Sequence, residues 1–215
     1  MANEESKVNI YDSSDFCLVD RAIDDVRLDI RYATTYNFVG DVIEGYNLPL
    51  AIMTREATAA LKEAAADFRE MGYGIWIYDA YRPERAVQHF LSWSRDSEDI
   101  RMKADFYPDM SKEDVVGKGY IAVRSNHTHG STIDMTLYSL EHGYPLDMGG
   151  TFDLFDERSA PDFEDITDIQ KENRRILRKT MEKHGFFISD IEWWHFTLKN
   201  QPYEDVFFDF PVDII

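Results

Sequence analysis

Near the end of the chain, Glu192-Trp193-Trp194-His195 sets a carboxylate and an imidazole three residues apart. Upstream, Ser125-Asn126-His127-Thr128-His129-Gly130-Ser131-Thr132-Ile133-Asp134 supplies another imidazole and another carboxylate. Two imidazoles and one carboxylate suffice to hold Zn²⁺ while leaving its fourth position to water, and the glutamate then remains as a proton acceptor. These are the groups of a metallohydrolase.

The spacing demands particular local structure. On an unbroken strand His127 and Asp134, seven residues apart, point to opposite faces, so a turn must intervene. Gly130 is placed to supply it, because glycine accepts backbone angles closed to other residues. Glu192 and His195 also fall on opposite faces of a strand. The conflict is removed if Glu192 ends a loop and leans over the metal while His195 points at it from the strand. Arg82 completes the set: hydrolysis of an amide builds negative charge on oxygen, and a permanently charged guanidinium stabilises that charge.

The elements that must position these groups are legible from periodicity. Ala57, Leu61, Ala64, Ala65, Phe68 and Met71 repeat at helical spacing over residues 54–71, and Gly72 marks the stop. Residues 73–78, aromatic and β-branched, read as a strand running into Arg82, and Pro83 opens a helix to about residue 93. Residues 95–118 read as a loop with one short helix beginning at Ser111. Residues 120–123 and 133–138 read as strands flanking the histidines, and 143–163 as a long loop rich in Asp, Gly and Pro. A helix over 167–184 carries Ile169, Ile176, Leu177, Thr180 and Met181 on one face, and residues 186–188 and 193–198 read as sheet. Trp193 and Trp194 are expected to pack on opposite faces of that last strand. Helices in two groups with strands running consecutively between and after them predict an α+β fold with a central antiparallel-rich sheet.

A chain of 215 residues, 44% apolar and 14% aromatic, predicts one domain over residues 1–215, its first fifteen residues loosely held. The 23 basic against 41 acidic residues give a net charge of −18, which excludes nucleic acid and anionic membranes as partners. The start of the chain lacks the basic-then-apolar pattern of a secretory signal, and no stretch approaches the roughly 18 apolar residues of a span. With Cys17 its one cysteine, the chain suits a reducing compartment, and a cytoplasmic location is expected.

These residues resemble the zinc D-alanyl-D-alanine dipeptidases. Ser125-x-His127-x-x-Gly130-x-Thr132-x-Asp134 and Glu192-x-x-His195 look like that family's two metal motifs. The segment from Asp29 to Gly40, Tyr78-Asp79-Ala80-Tyr81-Arg82-Pro83 and Phe152-Asp153 are similar to further family segments, so the likeness spans residues 28 to 198. It implies the fold shared by zinc D-Ala-D-Ala peptidases and hedgehog-like domains, with one Zn²⁺ held by His127, Asp134 and His195. It implies Glu192 as general base and Arg82 as stabiliser of the oxyanion. It further implies that Tyr32 and Asp153 hold the ammonium of a small zwitterionic dipeptide, with Ser125 and Tyr46 near its carboxylate. Preference for D-residues follows from the likeness alone. His129 departs from the family pattern and is left outside the ligand set. Two rivals remain: a zinc D,D-carboxypeptidase or endopeptidase acting on peptidoglycan stems, and a zinc-dependent binding protein that holds a ligand without cleaving it.

Overall fold

The computed structural model describes residues 11–215. In chain order the elements are β1 (Phe16–Leu18), α1 (Val19–Ala22), β2 (Val26–Leu28), β3 (Ile52–Thr54), α2 (Arg55–Glu70), β4 (Tyr73–Asp79) and α3 (Glu84–Arg95). Then come α4 (Lys103–Phe106), α5 (Lys112–Gly117), β5 (Thr132–Ser139), α6 (Asp168–Lys183), β6 (Phe186–Ile188) and β7 (His195–Leu198). Short 3₁₀ turns lie at Arg31–Ala33, Asn126–His129 and Glu157–Ser159.

The five-stranded sheet has the order β2-β4-β5-β7-β6, and β1 pairs separately with β3. Only the β2–β4 pair in the large sheet is parallel; β4–β5, β5–β7 and β6–β7 run antiparallel. The fold is therefore α+β with an antiparallel-rich sheet, as the order of elements predicts. Helices α2 and α6 pack on each other and against β4 and β6 respectively. A continuous apolar cluster runs from Phe16 to Val212, so both ends of the described chain contribute to one core. No helix among the described residues is long and apolar enough to cross a membrane.

Helices α2, α5 and α6 begin where side chains satisfy free N–H groups. Thr54 caps α2 by accepting from the Ala57 N–H at 3.3 Å, and Thr167 with Gln170 forms a reciprocal capping box at α6. Pro83 stands at the N-cap of α3, and Ser111 with Asp114 closes a second capping box at α5.

Several local expectations are corrected. Residues 120–123 form no strand: Ile121 is buried, Val123 is exposed, and the segment lines a cavity instead of joining a ladder. The 95–118 region holds two short helices, not one. Trp193 and Trp194 lie in the turn before β7, their rings 5.3 Å apart and nearly perpendicular, and both are buried. Ile169 is exposed in the first turn of α6, and Arg174 takes a buried place on that helix's inner face. The expectation of loose N-terminal residues falls, for 1–10, outside the described residues. Asp15 is tied down, its carbonyl accepting from the Arg55 N–H at 2.9 Å and its carboxylate from the Tyr203 hydroxyl.

Candidate active site

Sheet register does most of the positioning. Asp134 on β5 stands opposite His195 on β7 and, on its other side, opposite Asp79 at the end of β4. The second pairing exists because the β4–β5 register slips by one between Ile77 and Asp79. Without that irregularity Tyr78 would face Asp134, and Asp79 would stand out of line. A bulge of this kind re-aims a side chain at the rim of a sheet.

His127 arrives from the 3₁₀ turn just before β5. Gly130 ends that turn with φ 77°, and a Cβ there would meet the Phe16 ring at 2.2 Å, so both conformation and space require glycine. The turn separates the two histidines. His127 Nδ1 donates to the Ala80 carbonyl at 2.6 Å, which fixes its tautomer and aims the Nε2 lone pair inward. His129 points elsewhere, its Nδ1 donating to the Val206 carbonyl at 2.6 Å and its ring 4.7 Å from that of Phe207.

Around one point, His127 Nε2 lies 3.3 Å from His195 Nδ1 and 3.2 Å from Asp134 Oδ2, and His195 Nδ1 lies 3.0 Å from Asp134 Oδ1. Such separations are the edges of a tetrahedron whose corners are about 2 Å from its centre, the bond length of zinc to nitrogen and oxygen. Asp134 Oδ1 is buried and accepts no hydrogen bond. Two facing imidazole nitrogens beside an orphaned buried carboxylate oxygen make a donor set that fits a divalent metal. Glu192 ends the loop before β7, its Oε2 3.7 Å from His195 Nδ1, close to the cluster yet outside it.

Arg82 is immobilised chiefly by Asp79, to which sequence reasoning assigns no role. Its Nε donates to Asp79 Oδ2 at 2.9 Å, its second terminal nitrogen lies 3.5 Å from Asp134 Oδ2, and its guanidinium lies 5.0 and 5.2 Å from the rings of Tyr32 and Phe90, which touch each other at 5.0 Å. Asp79, fully buried, also accepts from the Tyr46 hydroxyl at 2.6 Å. Tyr46 is thus set back behind Asp79 and does not line the cavity. The signal for Asp79 was present in the sequence, an acid three residues before Arg82 at a strand end.

The long loop brings Asp153 in from the far side. Asp153 is buried, holds φ 59° and accepts from the Tyr32 hydroxyl at 2.9 Å. Arg174 of α6 fixes that loop by donating to the carbonyls of Met148, Ala160 and Arg158 at 2.6, 2.7 and 2.9 Å. Tyr32, Arg82, Ser125, Asp153 and Glu192 all line one cleft of about 170 Å³ with His127, Asp134 and His195 on its wall. Ser125, buried, accepts from the His127 N–H at 3.3 Å and keeps its own hydroxyl proton to donate.

The cleft gathers negative charge. Burial pushes Asp134 up, but His127 and His195 outweigh it and hold Asp134 well below the usual carboxylate range. Burial and then Asp134 push Glu192 up to about 8, and burial, Asp134 and Glu192 push Asp153 well above its ordinary range. Burial also keeps the Tyr32 and Tyr46 hydroxyls protonated as donors. In metal-free protein, folded Glu192 retains a proton between about pH 4.5 and 8 that the unfolded chain has released. Its contribution to stability is therefore present at low pH and lost as pH rises through that window, by on the order of a few kcal/mol. Urea unfolding of chelated protein at pH 5 and pH 8 checks this. Wild type is expected to weaken at the higher pH, and Glu192→Gln to show a flatter profile.

An α+β fold with a His–Asp–His donor set, an unspent carboxylate and a half-buried arginine in one cleft defines a metallopeptidase. The chain belongs to the D-Ala-D-Ala dipeptidase family, whose sequence profile matches residues 12–213. It is 42% identical over 200 residues to the D-alanyl-D-alanine dipeptidase of Streptomyces coelicolor, covering 93% of this chain and 99% of that protein. It is 42% identical over 197 residues to the D-alanyl-D-alanine dipeptidase of Enterococcus faecalis, covering 92% and 98%. Among solved structures it has a distant likeness to the vancomycin resistance D,D-pentapeptidase VanY in complex with Zn(II), at 12% identity and TM-score 0.45, covering 75% and 80%.

Proposed function

We propose that this protein, a single catalytic domain, hydrolyses D-alanyl-D-alanine-type dipeptides to free amino acids, using one Zn²⁺ held by His127, Asp134 and His195. The observation that carries this reading is the convergence of those three ligands, within 4.8 Å of one another, with Glu192 beside them in a small cleft. When bound, the ion supplies a Lewis acid, an acidified water and the positive charge that returns Glu192 to its carboxylate form near neutral pH. Glu192 accepts the proton of the attacking water and delivers it to the leaving amine nitrogen. Arg82, held rigid by Asp79, presents its charge to the oxygen on which negative charge develops. Tyr46 serves this arrangement from behind, through Asp79.

Asp153 and Tyr32 take the substrate's ammonium, and Ser125 donates toward its carboxylate. A buried carboxylate opposite the ammonium rejects substrates blocked at the amine. A cleft of about 170 Å³ suits a dipeptide better than a longer stem. Action on free dipeptide in the cytoplasm is in keeping with the chain's one cysteine.

The test is a panel of dipeptides of both stereochemistries, with an N-acylated stem peptide, run on protein with and without zinc. Zinc-dependent cleavage of D-Ala-D-Ala, with the L,L isomer and the stem peptide spared, is expected. Cleavage of the stem in preference to the dipeptide would replace this reading with a D,D-carboxypeptidase, and absence of any turnover would leave a binding protein.

A further inference from the structure

The dipeptide brings a free carboxylate into a cleft whose wall already carries Asp134, Asp153 and Glu192, on a chain of net charge −18. Hydroxyl donation alone does little for a carboxylate among three others, so a cation is needed at that end. Two side chains lining the cleft are permanently cationic, Arg82 and Arg124. Arg82 is already committed: Asp79 holds its Nε, Asp134 lies by its terminal nitrogen, and its charge serves the oxygen of the scissile amide.

Arg124 is in the opposite state. It is exposed, directly precedes Ser125, and lines the same cleft. Its guanidinium rests 5.1 Å over the ring of Phe207, which in turn lies 4.7 Å from His129, itself anchored on the Val206 carbonyl. That stack steadies the stem and one face of the guanidinium while leaving its N–H edge for a ligand. Among the described residues no carboxylate stands within ion-pair distance of it; Glu84, which feels its charge, accepts its hydrogen bond from Gln88 instead. His129 and Phe207, without a part in metal binding or in the chemistry, gain one here as the backing of this side chain.

We infer that Arg124 is the specificity-determining anchor for the substrate's terminal carboxylate, acting with the neighbouring Ser125 hydroxyl, and that the stack with Phe207 and His129 positions it. The inference rests on the dipeptidase reading above. It makes the cleft a reader of both ends of a zwitterion: Asp153 for the ammonium, Arg124 for the carboxylate. Because Arg124 belongs neither to the metal donor set nor to the groups that move protons, it contributes binding shared by ground and transition states, which acts on KM more than on kcat.

The experiment compares D-Ala-D-Ala with its C-terminal amide on zinc-loaded wild type, Arg124→Gln, Arg124→Lys and Phe207→Ala, with metal content measured for each. Wild type is expected to prefer the free acid. Arg124→Gln should raise KM for the acid by about ten- to a hundredfold, leave kcat within a few-fold, and shrink the preference for acid over amide by the same factor. Arg124→Lys should recover part of the preference, and Phe207→Ala should lose part of it. An Arg124→Gln enzyme that keeps both its KM for the acid and its preference over the amide overturns the inference while leaving the dipeptidase reading intact. Failure of wild type to cleave the free dipeptide overturns both.

Discussion

Glu192→Gln is expected to bind zinc as wild type does and to lose turnover by about 10³-fold or more, the upper range for removal of a general base. The geometry separates the two properties. The metal donors are His127 Nε2, His195 Nδ1 and the Asp134 carboxylate, and Glu192 stands outside that set at 3.7 Å from the His195 nitrogen. Glutamine preserves size and hydrogen bonding but cannot accept the proton. Metal analysis together with single-turnover kinetics on D-Ala-D-Ala reads both quantities. A variant that turns over at wild-type rate would remove Glu192 from the chemistry, and one that loses its metal would make it a ligand.

Asp153→Asn is expected to lower kcat/KM on the free dipeptide by about 10²- to 10³-fold, the cost of removing one partner of a buried charge pair. Asparagine is the informative substitution because Asp153 holds φ 59°, a left-handed conformation that asparagine tolerates and most residues do not. The Tyr32 hydroxyl, which donates to Asp153 at 2.9 Å, can still donate to the amide oxygen, so the loop need not move. The loss should be much smaller on N-acetylated dipeptide, which has no ammonium to place. Steady-state kinetics on the two substrates checks this. Equal losses on both would mean that Asp153 shapes the loop instead of reading the amine.

Both expectations draw on residues whose types were legible before any coordinates. The apolar face of α2, the capping box of α6, the proline opening α3 and the glycine after His127 each encode their element locally, through periodicity, capping and backbone freedom. The pairing of His127 with Asp134 likewise follows from a glycine between them, since seven residues on an unbroken strand would point the two side chains apart. What stayed hidden depends on partners distant in the chain. The one-residue slip that brings Asp79 beside Asp134 is a property of two strands together, and no pattern within β4 announces it. Tyr46 reads by resemblance as a substrate contact, yet its hydroxyl meets Asp79 at 2.6 Å behind Arg82. Residues 120–123 have a strand's composition without a neighbour to pair with, so the chain leaves the sheet and borders the cleft. Arg174 breaks the apolar pattern of its helix, and that break marks the support of the Asp153 loop.

The most direct test of the account is titration of chelator-stripped protein with Zn²⁺, following bound metal and D-Ala-D-Ala cleavage in the same samples. The account predicts that activity is negligible in the stripped protein and rises in proportion to bound zinc until each chain holds one ion. It predicts near-wild-type binding by His129→Ala and none by His127→Ala, Asp134→Ala or His195→Ala. Full cleavage by the stripped protein, or undiminished zinc binding after loss of those ligands, would contradict it.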